Sequence, residues 1–203
     1  MGAPDMRFLP VFLASGLATA VLAAPALAAG NANVVAGPRY LNDGSWNPVA
    51  DQTAVGIAVD VGKKFWPINF AIAYHDSTAT DRSVNPAPVG ELDLQGRLQE
   101  LDFGVLKSWS LPHRLRPFAG GGIGFVEGSS RATIPALAST HTSGTGAGAW
   151  IDGGVYWRLA GHLNLGVDAR VLLGSTVSMF GFNRSADYRQ IGMLAGWGWP
   201  GAK

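Results

Sequence analysis

His75-Asp76-Ser77 places a base and a hydroxyl two residues apart, and Glu91 follows as a candidate orienting acid. A serine nucleophile needs a base to take its proton and an acid to hold that base, so this trio could in principle cleave an ester. A second and larger set of groups alternates along extended stretches: Asp60, His75, Glu91, Asp93, Arg97, Asp102, Arg116, Asp152, Arg158, Asp168 and Arg170. Acids and bases sharing one enclosed space pair with each other, because a buried charge without a partner is costly. The other reading of this set is a continuous polar passage. The remaining histidines, His113, His141 and His162, are scattered without metal-ligand spacing. The chain has no cysteine, which removes a thiol nucleophile, a disulfide frame and a Cys-based metal site. The segment R-P-F-A-G-G-G-I-G-F-V-E (116–127) imitates a phosphate loop, but such a loop opens a helix and none follows. Its glycines are better explained as room for long side chains from facing strands. No cofactor and no metal site is expected.

The elements that must position these groups read as strands. In H-L-N-L-G-V-D-A-R-V-L-L (162–173), Leu163, Leu165, Val167, Ala169, Val171 and Leu173 take one face, and Asn164, Gly166, Asp168 and Arg170 the other. The same alternation predicts strands over 33–41, 53–63, 70–75, 90–109, 116–127, 147–158 and 187–199. In 90–109 the leucines at 92, 94 and 98 give way to Leu101, Phe103 and Val105, a one-residue change of phase. A β-bulge near Gln99-Glu100 would absorb it, with Asp93 and Arg97 facing inward beside Asp102. A helix competes for this segment, but the alternation favours a strand. The connections predicted at 76–89 and 128–146 are long polar loops. The one at 174–186 carries Met179, Phe180 and Phe182, a candidate surface for contact with a partner or lipid. Connections therefore alternate long and short along eight strands.

Balanced charge, 15 basic against 14 acidic residues, argues against a nucleic-acid partner. Charged residues make up only 14% of the chain, well below the roughly 25% of soluble domains. At the N-terminus, Arg7, the apolar run 8–22 and Ala26-Leu27-Ala28 have the form of a cleaved secretory signal peptide over 1–28. A membrane anchor is the competing reading, but the run is short and broken by Pro10, Gly16 and Pro25. Beyond it no apolar run reaches the ~20 residues of a membrane helix. A mature chain in a membrane would have to be a closed barrel, the other structure that satisfies every backbone group in lipid. Sorted long and short connections are a feature of such barrels. Trp66, Trp109, Trp157 and Trp199 lie near the short-turn ends, where an interfacial girdle would sit. Ordinary core aromatics are the alternative.

With these features the chain resembles the small eight-stranded outer-membrane barrels, the OmpA transmembrane-domain and OmpX-like group, over residues 33–199. The resemblance rests on the strand count, the glycine-rich segment at 116–125 and the final D-Y-R-Q-I-G-M-L-A-G-W-G-W strand. It implies an all-β, eight-stranded antiparallel up-and-down transmembrane barrel over 29–203, in the bacterial outer membrane with both termini periplasmic. The implied partners are outer-membrane lipid, lipopolysaccharide and the barrel-assembly machinery, and the implied state is a monomer. Members of the group end on an aromatic residue, whereas Trp199 here is followed by P-G-A-K. The expected role is structural or one of surface-loop interaction, with the polar lumen plugged by Asp/Arg pairs. A narrow pore or carrier is the alternative. A third reading comes from the spacing of His75 and Ser77, which is similar to the lipid A deacylases. The residues around that pair do not extend the match, and His75 is expected to point inward, away from a lipid substrate.

Overall fold

The computed structural model describes residues 29–42, 44–63, 66–85, 90–134, 138–179 and 182–199, with main chain alone at 45, 83–85, 90–92, 134 and 138. The signal-peptide segment 1–28, Phe180, the 200–203 tail and the Glu91 side chain lie outside the described residues. Among the described residues ten strands form: β1 (Ala29–Leu41), β2 (Asp51–Gly62), β3 (Asn69–Asn85), β4 (Gly90–Ser108), β5 (Leu115–Ile134), β6 (Ala138–Leu159), β7 (Leu163–Leu173), β8 (Thr176–Met179), β9 (Phe182–Ser185) and β10 (Tyr188–Trp199). Eight of them close into an antiparallel barrel in the order β1-β10-β7-β6-β5-β4-β3-β2, and β8 and β9 make a separate hairpin. β1 closes the ring against β10, with Gly30 opposite Trp199 and Tyr40 opposite Arg189.

The side-chain period of two sorts the wall. Val34, Ile57, Phe70, Phe103, Ile123, Ile151, Val167 and Met193 face outward and are exposed, one from every stave. A continuous apolar belt of this size has no place against water. The short turns all lie at the end holding Ala29 and Trp199. One is closed by Gly161 at φ +82°, a conformation that side-chain-bearing residues resist. There His162 N donates to Leu159 O at 3.0 Å.

At the opposite end the strands outrun expectation. Of the segments read as long loops, 76–85, 128–134 and 138–146 are paired strand instead. β3 and β4 stay in register out to Asn85 opposite Gly90, and β5 and β6 out to Ile134 opposite Ala138. β2 leaves β3 at Thr78 and β7 leaves β6 at Ala149. A four-stranded sheet, β3-β4-β5-β6, therefore rises past the closed ring. At about 3.3 Å per residue, the 11 residues of β6 past its β7 partner add roughly 35 Å. Thr, Ser and Gly need only a ladder of backbone hydrogen bonds and a solvated face to form such a ribbon. In the sequence alone their polarity reads as loop.

The expected bulge is absent. β4 pairs with both neighbours without interruption through Gln99 and Glu100, and Leu94, Leu98, Glu100 and Asp102 all take the inner face. Asp93 and Arg97 are corrected accordingly: they point outward and are not lumen residues. Arg97 is bidentate to Asp76 at 2.8 and 2.6 Å, and Arg82 meets Asp93 at 3.1 Å, both on the exposed surface. The change of phase marks a change of surroundings, not of backbone. Above the apolar belt the outside is water, so charge turns out and leucine turns in.

Candidate functional site

The polar groups converge inside the barrel in layers. The upper mouth, at the long-connection end, is filled by apolar side chains. Trp46, Val49, Leu98, Val126, Val177 and Met179 form one buried cluster with Leu41, Leu172 and Tyr188. Trp46 arrives from the β1–β2 connection, and its indole Nε1 donates to Ser185 O at 2.7 Å. Val177 and Met179 arrive on β8. That strand can lie across the inner face of β6 because Gly144 and Gly146 carry no side chain: a Cβ on either would strike the β8 carbonyls of Ser178 or Thr176. Of the aromatic and thioether residues expected as a contact surface at 174–186, Met179 is thus buried in the mouth and Phe182 is exposed.

Below lies an ionic layer. Glu100 accepts the Tyr188 hydroxyl at 2.5 Å and Arg170 Nη2 at 3.3 Å, and it faces Arg39 Nη2 at 3.5 Å. Arg170 also reaches Asp102 at 2.6 Å and Asp152 at 3.4 Å, while its Nε donates to the Tyr188 oxygen at 3.1 Å. Both guanidinium groups lie over aromatic faces: Arg39 is 3.8 Å from the Tyr188 centroid and Arg170 is 4.5 Å from that of Trp150. Such stacking adds attraction without adding a charge. Arg39 Nε donates to Gln190 at 2.8 Å. Arg39 and Asp102 have no solvent exposure, and Glu100 has 1%. β5 contributes space: a Cβ on Gly124 would lie 2.6 Å from Asp102 Oδ1, and one on Gly120 2.8 Å from Asp152 Oδ1. Gly120 and Gly124 are therefore the negative image of carboxylates on β6 and β4.

Under the ionic layer is a cavity of about 40 Å³, lined by Asp60, Asp152, Asp168, Asn33, Tyr156 and Phe118 among others. It has room for a few water-sized molecules. A layer of amides closes it from the short-turn end. Asp60 accepts from Asn31 at 2.9 and 3.1 Å and from Asn69 at 2.6 Å. Asn164 Nδ2 donates to Asn31 at 3.1 Å and to Asn33 at 3.0 Å. Arg158 Nε donates to Asn164 Oδ1 at 3.0 Å, and its Nη2 donates to Asn31 Oδ1.

Of the sequence-predicted lumen residues, Asp60, His75, Asp102, Asp152, Arg158, Asp168 and Arg170 do lie inside. Arg116 is inward-facing but half-buried at the short-turn rim, outside the ionic layer. Sequence reasoning missed Arg39 and Glu100, two of the central groups, and the amides Asn31 and Asn33. The run N-A-N-V-V-A-G-P-R is apolar on both faces near its middle, so its inner side could not be chosen. Counting back in twos from Arg39 to Asn33 and Asn31 was the available signal. Glu100 was lost to the supposed bulge.

His75 and Ser77 both point into the lumen, with 2% and 1% exposure. Ser77 Oγ donates to Gln52 Oε1 at 2.6 Å, and His75 Nε2 is 3.8 Å from Asp102, too far for a hydrogen bond. No cluster of three or more metal-ligating side chains exists among the described residues. Trp66, Trp109 and Trp157 are exposed near the short-turn end and Trp199 is partly covered there. Lys63 and Lys107 lie 5.6 and 5.8 Å from the Trp66 and Trp109 rings.

Closure of eight strands around a filled polar interior and inside an apolar belt can be compared with solved proteins. The chain is similar to Ail, the attachment invasion locus protein of Yersinia pestis, solved with the heparin analogue sucrose octasulfate. That match has a TM-score of 0.57 at 6% identity and covers 85% of this chain and 98% of that one. The fold is that of the small eight-stranded outer-membrane barrels. Neisserial surface protein A matches with a TM-score of 0.56 at 9% identity, over 84% of this chain and 96% of its own. A major outer membrane protein from Thermus thermophilus matches at 0.55 and 13%, over 85% and 99%. At such identities the small-barrel likeness is one of fold. No protein-family model and no curated protein sequence matches the chain.

Proposed function

We propose that this chain is an integral outer-membrane barrel, non-enzymatic and non-conducting, that presents its long-connection end for interaction. The observation that carries the closed lumen is the stack of Trp46, Val177 and Met179 directly above the Arg39–Glu100–Arg170–Asp102 layer. Apolar side chains deny water a path, and the ions beneath have each other as partners. The sheet β3-β4-β5-β6 supports the interaction role, since it rises past the ring and carries backbone edges on β3 from Ala79 and on β6 up to Gly148 that no barrel strand covers among the described residues. Burial of His75 and Ser77 inside the wall argues against ester cleavage of a lipid, whose acyl groups would run along the outside. In this reading the apolar belt contacts membrane lipid, with lipopolysaccharide at the long-connection end. The short turns and both strand termini face the periplasm, the Trp–Lys pairs sit at the headgroup level, the barrel-assembly machinery inserts the chain, and the monomer is the working unit.

A narrow polar passage is the second reading, and the 40 Å³ cavity between the ionic and amide layers is the observation in its favour. Planar-bilayer recording of the purified, heat-modifiable barrel separates the two. Silence is expected, and regular single-channel steps would overturn the closed-lumen reading.

A further inference from the structure

The short-turn mouth holds a groove that the closed-lumen reading does not use. It is about 370 Å³ and lies between the β4–β5 and β6–β7 turns, lined by Arg114, Arg116, Arg158, Ser110, Leu111, Ala160 and Gly161. Three arginines and a serine line it, and among the described residues no acidic side chain does. Register accounts for the convergence: Arg116 stands opposite Tyr156, and Leu115 opposite Trp157, so Arg114 and Arg158 follow at the same level.

Arg158 is the fixed member. Its chain crosses the backbone of β10 at Gly198, where a Cβ would collide with the guanidinium. Its donors go to Asn164, Asn31 and the Tyr156 hydroxyl. All of those acceptors are neutral. Asp60, the acid of this layer, accepts from the Asn31 and Asn69 amides and attracts Arg158 only from beyond ion-pair distance. Arg158 is thus held in place by dipoles, with no carboxylate at ion-pair distance among the described residues, and Arg116 beside it repels it. Packing like charges around a groove is unfavourable unless an anion joins them, and guanidinium forks match the oxygens of a tetrahedral oxyanion in pairs. Two of the surrounding turn residues, His113 and Arg114, hold positive φ of 61° and 62°. That backbone is uncommon for side chains of this kind, and Arg114 lines the groove.

We propose that this groove binds a phosphate group through Arg114, Arg116 and Arg158. The inference needs the barrel but not a closed lumen. Two sources share the chemistry: a soluble phosphate entering the mouth, or the headgroup of an anionic phospholipid at the level of Trp109 and Trp157.

The test follows arginine Nε–H resonances of the folded full-length barrel. One arm titrates inorganic phosphate into neutral-detergent micelles at constant ionic strength. The other compares nanodiscs of phosphatidylglycerol with nanodiscs of phosphatidylcholine. Saturable shifts at Arg116 and Arg158 in the first arm identify a soluble ligand, and shifts in phosphatidylglycerol alone identify the lipid. In either arm Arg116→Gln should weaken binding about tenfold, the usual scale for one charged hydrogen-bonding partner. Arg189→Gln, at the opposite mouth, should leave it unchanged. Both variants must show the wild-type heat-modifiable band. No saturable shift in either arm, or equal binding by Arg116→Gln, overturns the proposal, whatever the bilayer recordings show.

Discussion

The two halves of β4 obey opposite rules. In its lower half Phe103 and Val105 point out while Asp102 points in. In its upper half Asp93 and Arg97 point out while Leu94 and Leu98 point in. The backbone runs unbroken between them, paired on both sides. What differs is the solvent on either side of the wall. Beside the apolar belt, charge is cheapest inside, where other charges meet it. Above the belt, water takes the charge and the interior is left to Trp46, Val49 and Val177.

The largest effect in this comparison is expected in the lower half. Arg170→Ala leaves Glu100, Asp102 and Asp152 buried around a lost cation and should cost about 3–5 kcal/mol. Urea unfolding of the barrel in lipid vesicles reads this directly. A loss below 1 kcal/mol would show that the ionic layer does not hold the lower half together. Next comes the outer wall. Val167→Arg places a charge on the apolar belt opposite Met193 and should cost about 2–4 kcal/mol if it sits at mid-depth. Normal accumulation of heat-modifiable barrel in that variant would mean the belt does not face lipid. Smaller effects come from two neighbours in the upper half. Leu98→Ala should cost about 2–3 kcal/mol, toward the low end for a core truncation because the mouth can settle into the gap. Arg97→Ala removes an exposed ion pair and should cost only about 0.2–1 kcal/mol. Reversal of that order would restore the inward arginine that the change of phase suggested.

Much of the barrel was legible from residue order. Leu163 to Leu173 alternates so regularly that its faces needed no coordinates, and Asp168 and Arg170 fall inside as expected. The upper ribbons were not legible, because Ser, Thr and Gly serve loops and solvated strands alike. The hairpin β8–β9 was missed for a related reason. Its burial depends on Gly144 and Gly146, more than thirty residues away, which no local pattern connects to Val177 and Met179.

By itself the sequence determined the period-two alternation, the number of staves in the ring, the end that carries the short turns and the polar character of one face. These follow from local chemistry, since each strand's own side chains and turn residues dictate them. Only the tertiary structure decided which polar groups meet. Arg39 and Glu100 lie 61 positions apart, and they face each other because β1 closes against β10. Register around a closed ring is a property of all staves at once. The surroundings outside the wall likewise belong to the assembled barrel, and they decided that Arg97 turns out and Leu98 turns in.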